Sequence, residues 1–183
     1  MLKRWFASSA LIGLLGVACA AGTSPTEAPP GEAPPQQTAP PQWVNLELTD
    51  VNSGQTFRLA DFEGRFVLLE EMAVWCPLCL DQQLQLREAK SLLGDEVVLV
   101  SIDVDPNEDA AILSQHAQRN GLSWAFAVAP PELSRALADQ FGFGVLSPPS
   151  TPVILLDKEL VPHLLPYGIK SSSGLLALIK QYQ

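Results

Sequence analysis

An apolar run in the middle of the chain passes into a helical pattern through a pair of cysteines, and this junction restricts the possible folds. The run from Phe66 to Met72 has the composition of a central strand, and Cys76 to Leu93 has the length of a helix that ends at Gly94. A second apolar run, from Val97 to Ile102, is typical of a strand buried in a parallel sheet. Two parallel strands joined by a helix predict an α/β fold.

The segments around this unit complete a layered pattern. Alternating residues from Trp43 to Leu48 and a short run from Gln55 to Leu59 predict an N-terminal β-hairpin. Asp105, followed by Pro106 and Glu108, predicts a helix that runs to about residue 119 with Asp105 as its N-cap. The remaining predicted elements are a strand over 124–128, a helix over 131–140, a hairpin over 153–156 and 160–165, and a final helix from about residue 173. This order predicts a three-layer α/β/α sandwich with an N-terminal β-hairpin extension.

The N-terminus has the pattern of an export signal. A short basic start precedes an apolar run of 14 residues from Trp5 to Ala18, whereas about 20 residues are needed to cross a bilayer. Small residues then precede Cys19, which resembles a bacterial lipobox with Gly16 where leucine is usual. We therefore expect residues 1–18 to be a signal peptide and Cys19 to be the lipidated N-terminus. Ordinary cleavage after Ala20, which gives a secreted protein, is the alternative.

A proline-rich segment separates this signal from the domain. Residues 19–41 contain seven prolines and no aromatic or β-branched aliphatic residue, so they cannot bury enough apolar surface to fold. We expect a disordered tether, and its last 22 residues could span up to roughly 70 Å as a polyproline helix. The folded domain should then cover residues 42–183. An anchor followed by a spacer predicts a lipoprotein held on the extracytoplasmic side of a membrane.

Composition and cysteine count narrow the function. The net charge is −9 and no basic cluster is present, which argues against binding to nucleic acid or to a charged membrane surface. With Cys19 in the anchor, Cys76 and Cys79 are the only thiols of the domain. Two cysteines three residues apart do not make a structural disulfide framework for a domain of this size, but they suit redox cycling.

The position of the two cysteines predicts thiol–disulfide exchange. Cys76 lies at the start of the predicted helix, where free N–H groups and the helix dipole favour a thiolate, and we expect its sulfur to be exposed. Cys79 follows one turn later, within reach of a mixed disulfide formed on Cys76. The sequence therefore predicts that Cys76 attacks a client disulfide and that Cys79 resolves the intermediate, with no cofactor and no resident metal.

The domain resembles a known family over nearly its whole length, from about Val44 to the C-terminus. The matching residues are Leu48-Thr49-Asp50, Gly54, Phe57, Leu59, Asp61-Phe62, Gly64, Trp75-Cys76-x-x-Cys79 and Thr151-Pro152. This set is similar to the TlpA/ResA-type family of membrane-tethered oxidoreductases, and the resemblance implies a thioredoxin-like fold. In that family the proline before the strand is cis and faces the dithiol. By this resemblance Thr151 and Pro152 bind substrate, with Trp75 as a wall beside the dithiol and Pro77 stiffening the first helical turn.

The resemblance also assigns a role to an acid in the central strand. Glu70 falls six residues before Cys76, where thioredoxins have a buried carboxylate beneath the second cysteine. It could accept the proton of Cys79, because burial would raise its pKa toward neutrality. The alternative is a Glu70 that faces water. Glu71 is the weaker candidate, since neighbouring strand residues face opposite sides.

The direction of exchange and one other function class stay open. The resemblance favours a reductant for exported proteins with reducible disulfides, supplied with electrons by a membrane thiol donor, although an oxidase or isomerase role is not excluded. The alternative is a Sco-like copper-binding protein of the same fold. That site uses a CxxxC pair and a distant histidine, whereas here the spacing is CxxC and His116 and His163 are expected on the surface. Two thiolates alone could still hold Cu(I).

Overall fold

The computed structural model describes residues 39–182. The predicted signal peptide, the lipidation site at Cys19 and the tether up to residue 38 lie outside the described residues. Among the residues that are described, no helix combines the length and the apolar character needed to cross a bilayer.

A five-stranded mixed sheet organises the domain. Its strands are β3 (Phe66–Met72), β4 (Val97–Asp103), β5 (Ala125–Val128), β6 (Val153–Leu156) and β7 (Pro162–Leu164). They lie in the order β5-β4-β3-β6-β7, with β3, β4 and β5 parallel and with β6 antiparallel to both β3 and β7. A separate two-stranded hairpin is formed by β1 (Leu48–Thr49) and β2 (Thr56–Phe57).

Helices cover both faces of the sheet. They are α1 (Pro77–Leu93), α2 (Ala110–Arg119), α3 (Pro131–Phe141) and α4 (Ser172–Gln181). Alternate residues of β3 point to opposite layers, so that Phe66 and Leu68 pack with α1 and α4 while Val67 and Leu69 pack with α3 and the N-terminal segment. Helix α2 lies on the same side as α1. The protein therefore has the thioredoxin-like three-layer α/β/α fold that the sequence predicts.

The prediction that Trp43 to Leu48 form the first strand of the hairpin is wrong. Residues Gln42–Asn45 form a 3₁₀ turn, and only Leu48–Thr49 pairs with β2. Trp43 and Val44 are consecutive and both buried, which a strand with one wet face does not allow. The indole of Trp43 also donates a hydrogen bond to Oε1 of Gln140 at 2.7 Å, so this turn is fastened to α3.

The predicted N-cap of the second helix is also wrong. Helix α2 begins at Ala110, and Asp109 caps it by accepting the N–H groups of Ala111 and Ile112, each at 2.9 Å. Asp105 and Glu108 instead turn toward the connection between β3 and α1, as described below. The other predicted elements are present, with shifts of up to two residues at their ends.

Candidate active site

The dithiol lies where β3 passes into α1. Cys76 is the N-cap of α1, and its sulfur accepts the backbone N–H of Cys79 at 3.3 Å. Pro77 occupies the first helical position, where its fixed φ suits the helix and its missing N–H is not needed. Both cysteines are free thiols, so the structure describes the reduced dithiol.

Cys76 is 2% exposed, so the prediction of an exposed sulfur is wrong. The turn at Pro148–Ser150 packs against α1. The side chains that flank Cys76 in the sequence are nevertheless exposed, with Trp75 at 55% and Leu78 at 41%. Cys76 therefore packs in a buried cluster that includes Met72 and Cys79, at a point where its two neighbours in the sequence reach the surface.

Cys79 is the more enclosed thiol. Its sulfur donates to the carbonyl oxygen of Pro148 at 3.3 Å. Burial raises the pKa of the Cys79 thiol strongly, and the neighbouring Cys76 and the charge of Glu70 raise it further. Cys79 is therefore protonated at neutral pH and must lose its proton before it can attack a disulfide.

Glu70 is fully buried on the face of the sheet that α1 covers, which rules out the alternative of a water-facing side chain. Its Oε2 accepts hydrogen bonds from Nε2 of Gln83 at 3.1 Å and from Oγ of Ser101 at 2.7 Å. Gln83 lies one turn after Cys79 on α1. Burial raises the pKa of Glu70 to about 7, although the two hydrogen bonds and the charge of Lys170 oppose this change. Among the described residues, Oε1 of Glu70 has no hydrogen-bond partner.

A second layer of side chains orients these donors. Nε2 of His116 lies 2.8 Å from Oε1 of Gln83, and Nε1 of Trp124 donates to Oγ of Ser101 at 3.0 Å. Because the amide nitrogen of Gln83 donates to Glu70, its oxygen accepts, and the hydrogen of His116 is therefore on Nε2. Sequence reasoning missed Gln83 and Ser101; the only available signal was their polarity at buried positions of α1 and β4.

Both histidines depart from the predicted surface positions. His116 is buried, and burial lowers its pKa, with a smaller effect from Arg119. His163 is half-buried, and its Nε2 lies 3.0 Å from Oδ2 of Asp157. Within residues 39–182, no group of three or more His, Cys, Asp or Glu side chains could hold a metal ion.

Glu71 is fully buried on the opposite face of the sheet. Neither of its carboxyl oxygens has a hydrogen-bond partner in the described part of the chain. Burial raises the pKa of Glu71 well above its usual value, and the charge of Glu70 adds to this. Burial therefore favours the neutral form of Glu71.

The predicted substrate segment borders the dithiol. Thr151 has φ 46° and ψ 56°, a left-handed conformation that is rare for a β-branched residue. Its N–H donates to the carbonyl oxygen of Pro148 at 2.8 Å, the residue that also accepts from Cys79. Pro152 is buried, and its carbonyl oxygen accepts the N–H of Glu71 at 3.4 Å. The cis form of the Thr151–Pro152 bond stays a prediction.

The acids that follow β4 hold the segment before Cys76. Nε1 of Trp75 donates to Oδ2 of Asp105 at 2.6 Å, and the N–H of Val74 donates to Oε2 of Glu108 at 2.6 Å. The hydrogen bonds that Asp105 accepts lower its pKa, and the largest effect comes from the backbone N–H of Asn107. Burial raises the pKa of Asp103 to about 7, and the negative charge of Glu108 contributes. These contacts fasten Val74 and the side chain of Trp75 to the segment that follows β4.

The fold, together with two thiols one turn apart at the start of a helix, defines the protein as a thioredoxin-like thiol–disulfide oxidoreductase. A comparison with family profiles gives a match over residues 29–161, and the chain belongs to the Redoxin family. No curated protein matches the chain.

Solved structures with this fold include several bacterial redox proteins. A DsbF homologue from Corynebacterium diphtheriae is 23% identical with a TM-score of 0.63, covering 87% of this chain and 99% of its own. A thiol:disulfide interchange protein from Chlorobium tepidum is 20% identical with a TM-score of 0.62, and the match covers 75% of this chain and 92% of that protein. The exposed lipoprotein thioredoxin Etrx1 of Streptococcus pneumoniae is 24% identical with a TM-score of 0.58, and the match covers 74% of this chain and 98% of that protein. These similarities support the fold.

Proposed function

We propose that the protein is an extracytoplasmic thiol–disulfide reductant in which Cys76 attacks client disulfides and Cys79 resolves the mixed disulfide. The observation that carries this proposal is the position of Cys76 as the N-cap of α1, with the N–H of Cys79 donating to its sulfur. A helix N-terminus and a direct N–H donor both favour negative charge on that sulfur.

The reaction needs no group beyond the two thiols and a base. The Cys76 thiolate bonds to one client sulfur, and the other client sulfur leaves as a thiolate that takes up a proton. Cys79 then loses its proton and attacks Cys76, which releases the second client thiol and leaves a Cys76–Cys79 disulfide. The client gains two electrons and the protein loses two. Since Cys76 is 2% exposed, an incoming client must displace some of the groups that cover it.

Glu70 is the base that we assign to the second step. It lies on the α1 side of the sheet, its charge acts on Cys79, and Oε1 is left without a partner among the described residues. With a pKa of about 7, Glu70 is partly ionised at neutral pH and is suited to accept a proton there. Thr151 and Pro152 would hold the client backbone beside the dithiol, with Trp75 and Pro77 at the border of the site.

The location proposal rests on the N-terminal sequence. An apolar run before Cys19 and a proline-rich tether fit a lipoprotein on the outer side of a membrane, with secretion as the alternative. The similar pneumococcal protein is an exposed lipoprotein. Clients would be exported proteins with reducible disulfides, and a membrane thiol donor would reduce the protein after each turnover. Mass spectrometry of the mature N-terminus tests this, because a diacylated Cys19 supports the anchor and an unmodified N-terminus at residue 21 contradicts it.

A trapping experiment tests the exchange reaction. Cys79→Ser should accumulate mixed disulfides with exported proteins, because the resolving thiol is absent, whereas the matched Cys76→Ser variant should trap none. The wild-type protein should reduce insulin and neither variant should do so efficiently. Absence of both trapping and reduction would contradict the proposed function.

The redox potential tests the direction. Equilibration with glutathione should give a value nearer to about −270 mV, as for thioredoxin, than to about −120 mV, as for a strong oxidant. A value near the upper figure would instead support an oxidase. Stoichiometric Cu(I) binding that resists a competing chelator, together with no disulfide exchange, would support the copper-binding alternative.

A further inference from the structure

Lys170, in the loop before α4, is a buried lysine with three neutral partners. It is 8% exposed, although lysine is seldom buried without a paired charge. Its Nζ donates to the carbonyl oxygens of Thr151 at 2.6 Å, Gly168 at 2.7 Å and Pro166 at 3.2 Å. These contacts use all three hydrogens of the ammonium group.

The backbone of Lys170 is fastened to the dithiol helix. Its N–H donates to Oε1 of Gln82 at 2.7 Å, and its carbonyl oxygen accepts from Nε2 of the same amide at 3.2 Å. Gln82 is fully buried on α1, three residues after Cys79. A single residue therefore links the helix that carries the thiols to the carbonyl group of Thr151.

The Thr151 end of this link is strained. A left-handed threonine is strained and persists only where its surroundings hold it. The ammonium on its carbonyl oxygen is one such restraint. The N–H of Gly168, which donates to the carbonyl oxygen of Ser150 at 2.9 Å, adds a second restraint from the same loop.

Lys170 also brings a positive charge to the buried acids. Two titratable groups act on Lys170, namely Glu70 and Glu71 on β3. Glu70 in turn interacts with Glu71, with Lys170 and with Cys79 on α1. The charge of Lys170 lowers the pKa of both glutamates, while burial lowers its own pKa to about 8. At neutral pH it is therefore mostly protonated and favours an ionised Glu70.

We infer that Lys170 is a positioning residue of the exchange reaction, which holds the carbonyl group of Thr151 against the dithiol helix and carries a buried positive charge into the site. This inference rests on the proposed function, in which Glu70 takes the proton of Cys79 and Thr151 borders the client. Lys170 touches neither thiol, and it acts through these two residues.

The test is a pH profile of the resolving step. Reduced protein is mixed rapidly with the aromatic disulfide 5,5′-dithiobis(2-nitrobenzoate). The first released thiol reports attack by Cys76, and the second reports attack by Cys79 on the mixed disulfide. In the wild type, the second rate should rise with pH through an inflexion near the pKa of Glu70, about 7.

Lys170→Met should move this inflexion upward by about one pH unit, because the charge that favours ionised Glu70 is lost. Its KM for a peptide disulfide should rise severalfold, since Thr151 is less firmly held. Lys170→Arg keeps the charge and should keep the inflexion within about 0.3 of a unit. The matched control is Lys180→Met, an exposed lysine of α4 with the same change in net charge, which should leave both values unchanged.

Circular dichroism and urea unfolding decide which variants are compared. If Lys170→Met does not fold, Lys170→Gln removes the charge while keeping two N–H donors, and it should show the same upward movement of the inflexion. A folded neutral variant with wild-type inflexion and KM would overturn the inference, as would an equal change in Lys180→Met. The nitrobenzoate probe needs only the dithiol, so this result is independent of whether Cys79→Ser traps a client.

Discussion

Glu70 and Glu71 are adjacent, chemically identical and both fully buried, yet the structure gives them opposite environments. The pleat of β3 directs Glu70 toward α1 and Glu71 toward the apolar layer that includes α3. Glu70 receives hydrogen bonds from Gln83 and Ser101, whereas no described residue bonds to the carboxyl oxygens of Glu71. Burial alone therefore does not make a carboxylate a proton acceptor. The hydrogen-bond donors around it are also needed, because they oppose the rise in pKa that burial causes.

The energetic consequences differ in the same way. Burial raises the pKa of both acids, but the donors and Lys170 hold Glu70 at about 7, where it can both take and release a proton. Burial raises the pKa of Glu71 well above its usual value, and its carboxyl group has no partner among the described residues, which costs about 1–3 kcal/mol. Of the two acids, Glu70 is the one whose charge acts on Cys79 and whose pKa, about 7, allows it to take up a proton at neutral pH.

The largest expected effect is on the resolving step. Glu70→Gln should slow the attack of Cys79 at pH 7 by about 100-fold or more, because the base is lost while the size of the side chain is kept. Glu71→Gln should change the same rate by less than about threefold, since Glu71 lies on the face of the sheet opposite the dithiol helix. Rapid mixing with the nitrobenzoate disulfide measures both rates.

The first phase of that experiment is the internal control. Attack by Cys76 should be nearly the same in both variants, so a loss confined to the second phase identifies the proton transfer from Cys79. Equal losses in Glu70→Gln and Glu71→Gln would remove the distinction between the two acids.

A smaller effect is expected on stability. A glutamate whose pKa is raised in the folded state binds its proton more tightly there than in the unfolded chain, so its contribution is lost as pH rises from about 4.5 through the folded value. For Glu70, with a pKa of about 7, the loss is on the order of 3 kcal/mol by pH 8. Glu71 and Asp103 act in the same direction, whereas the lowered pKa of His116 opposes them below about 6.5 and the lowered pKa of Lys170, about 8, begins to oppose them toward pH 8. The free energy of unfolding, measured with urea, should therefore fall between pH 6.5 and pH 8.

Glu71→Leu sharpens this prediction. Replacing an unpaired buried acid with an apolar side chain should raise the free energy of unfolding at pH 8 by about 1–3 kcal/mol and flatten its decline with pH. Glu70→Leu should lower it instead, because Gln83 and Ser101 would then be buried donors without an acceptor. A stability that rises from pH 6.5 to pH 8 in the wild type would show that neither acid is protonated as described.

The sequence predicted this site unevenly, for a physical reason. Strand β3 and helix α1 were evident because their apolar residues recur locally, and Glu70 could be placed by its distance from Cys76 in the chain. Ser101 could not, because it meets Glu70 only through the register of β3 with β4, and a slip of one residue would bring an apolar side chain there. Lys170 is 88 residues from Gln82, so its contacts depend on how α4 and its loop pack.

The predicted exposure of Cys76 failed for a related reason. Its place at the start of α1 follows from local sequence, but its burial depends on a cluster that it shares with Leu113 on α2 and Phe126 on β5. Local pattern therefore placed the two cysteines at the start of α1, whereas their burial and the hydrogen bonds to Glu70 come from tertiary packing.

The smallest expected effect concerns the orientation of the Gln83 amide. His116→Leu removes the hydrogen that Nε2 donates to Oε1 of Gln83, so the amide can turn and present its oxygen to Glu70. Losing a donor raises the pKa of Glu70, and the inflexion of the resolving rate should move upward by about half a pH unit. His163→Leu is the matched control, because His163 contacts Asp157 and not this network. If the inflexion of His116→Leu stayed at the wild-type pH, Ser101 alone would be sufficient to tune Glu70, and the difference from Glu71 would rest on that one hydroxyl group and on Lys170.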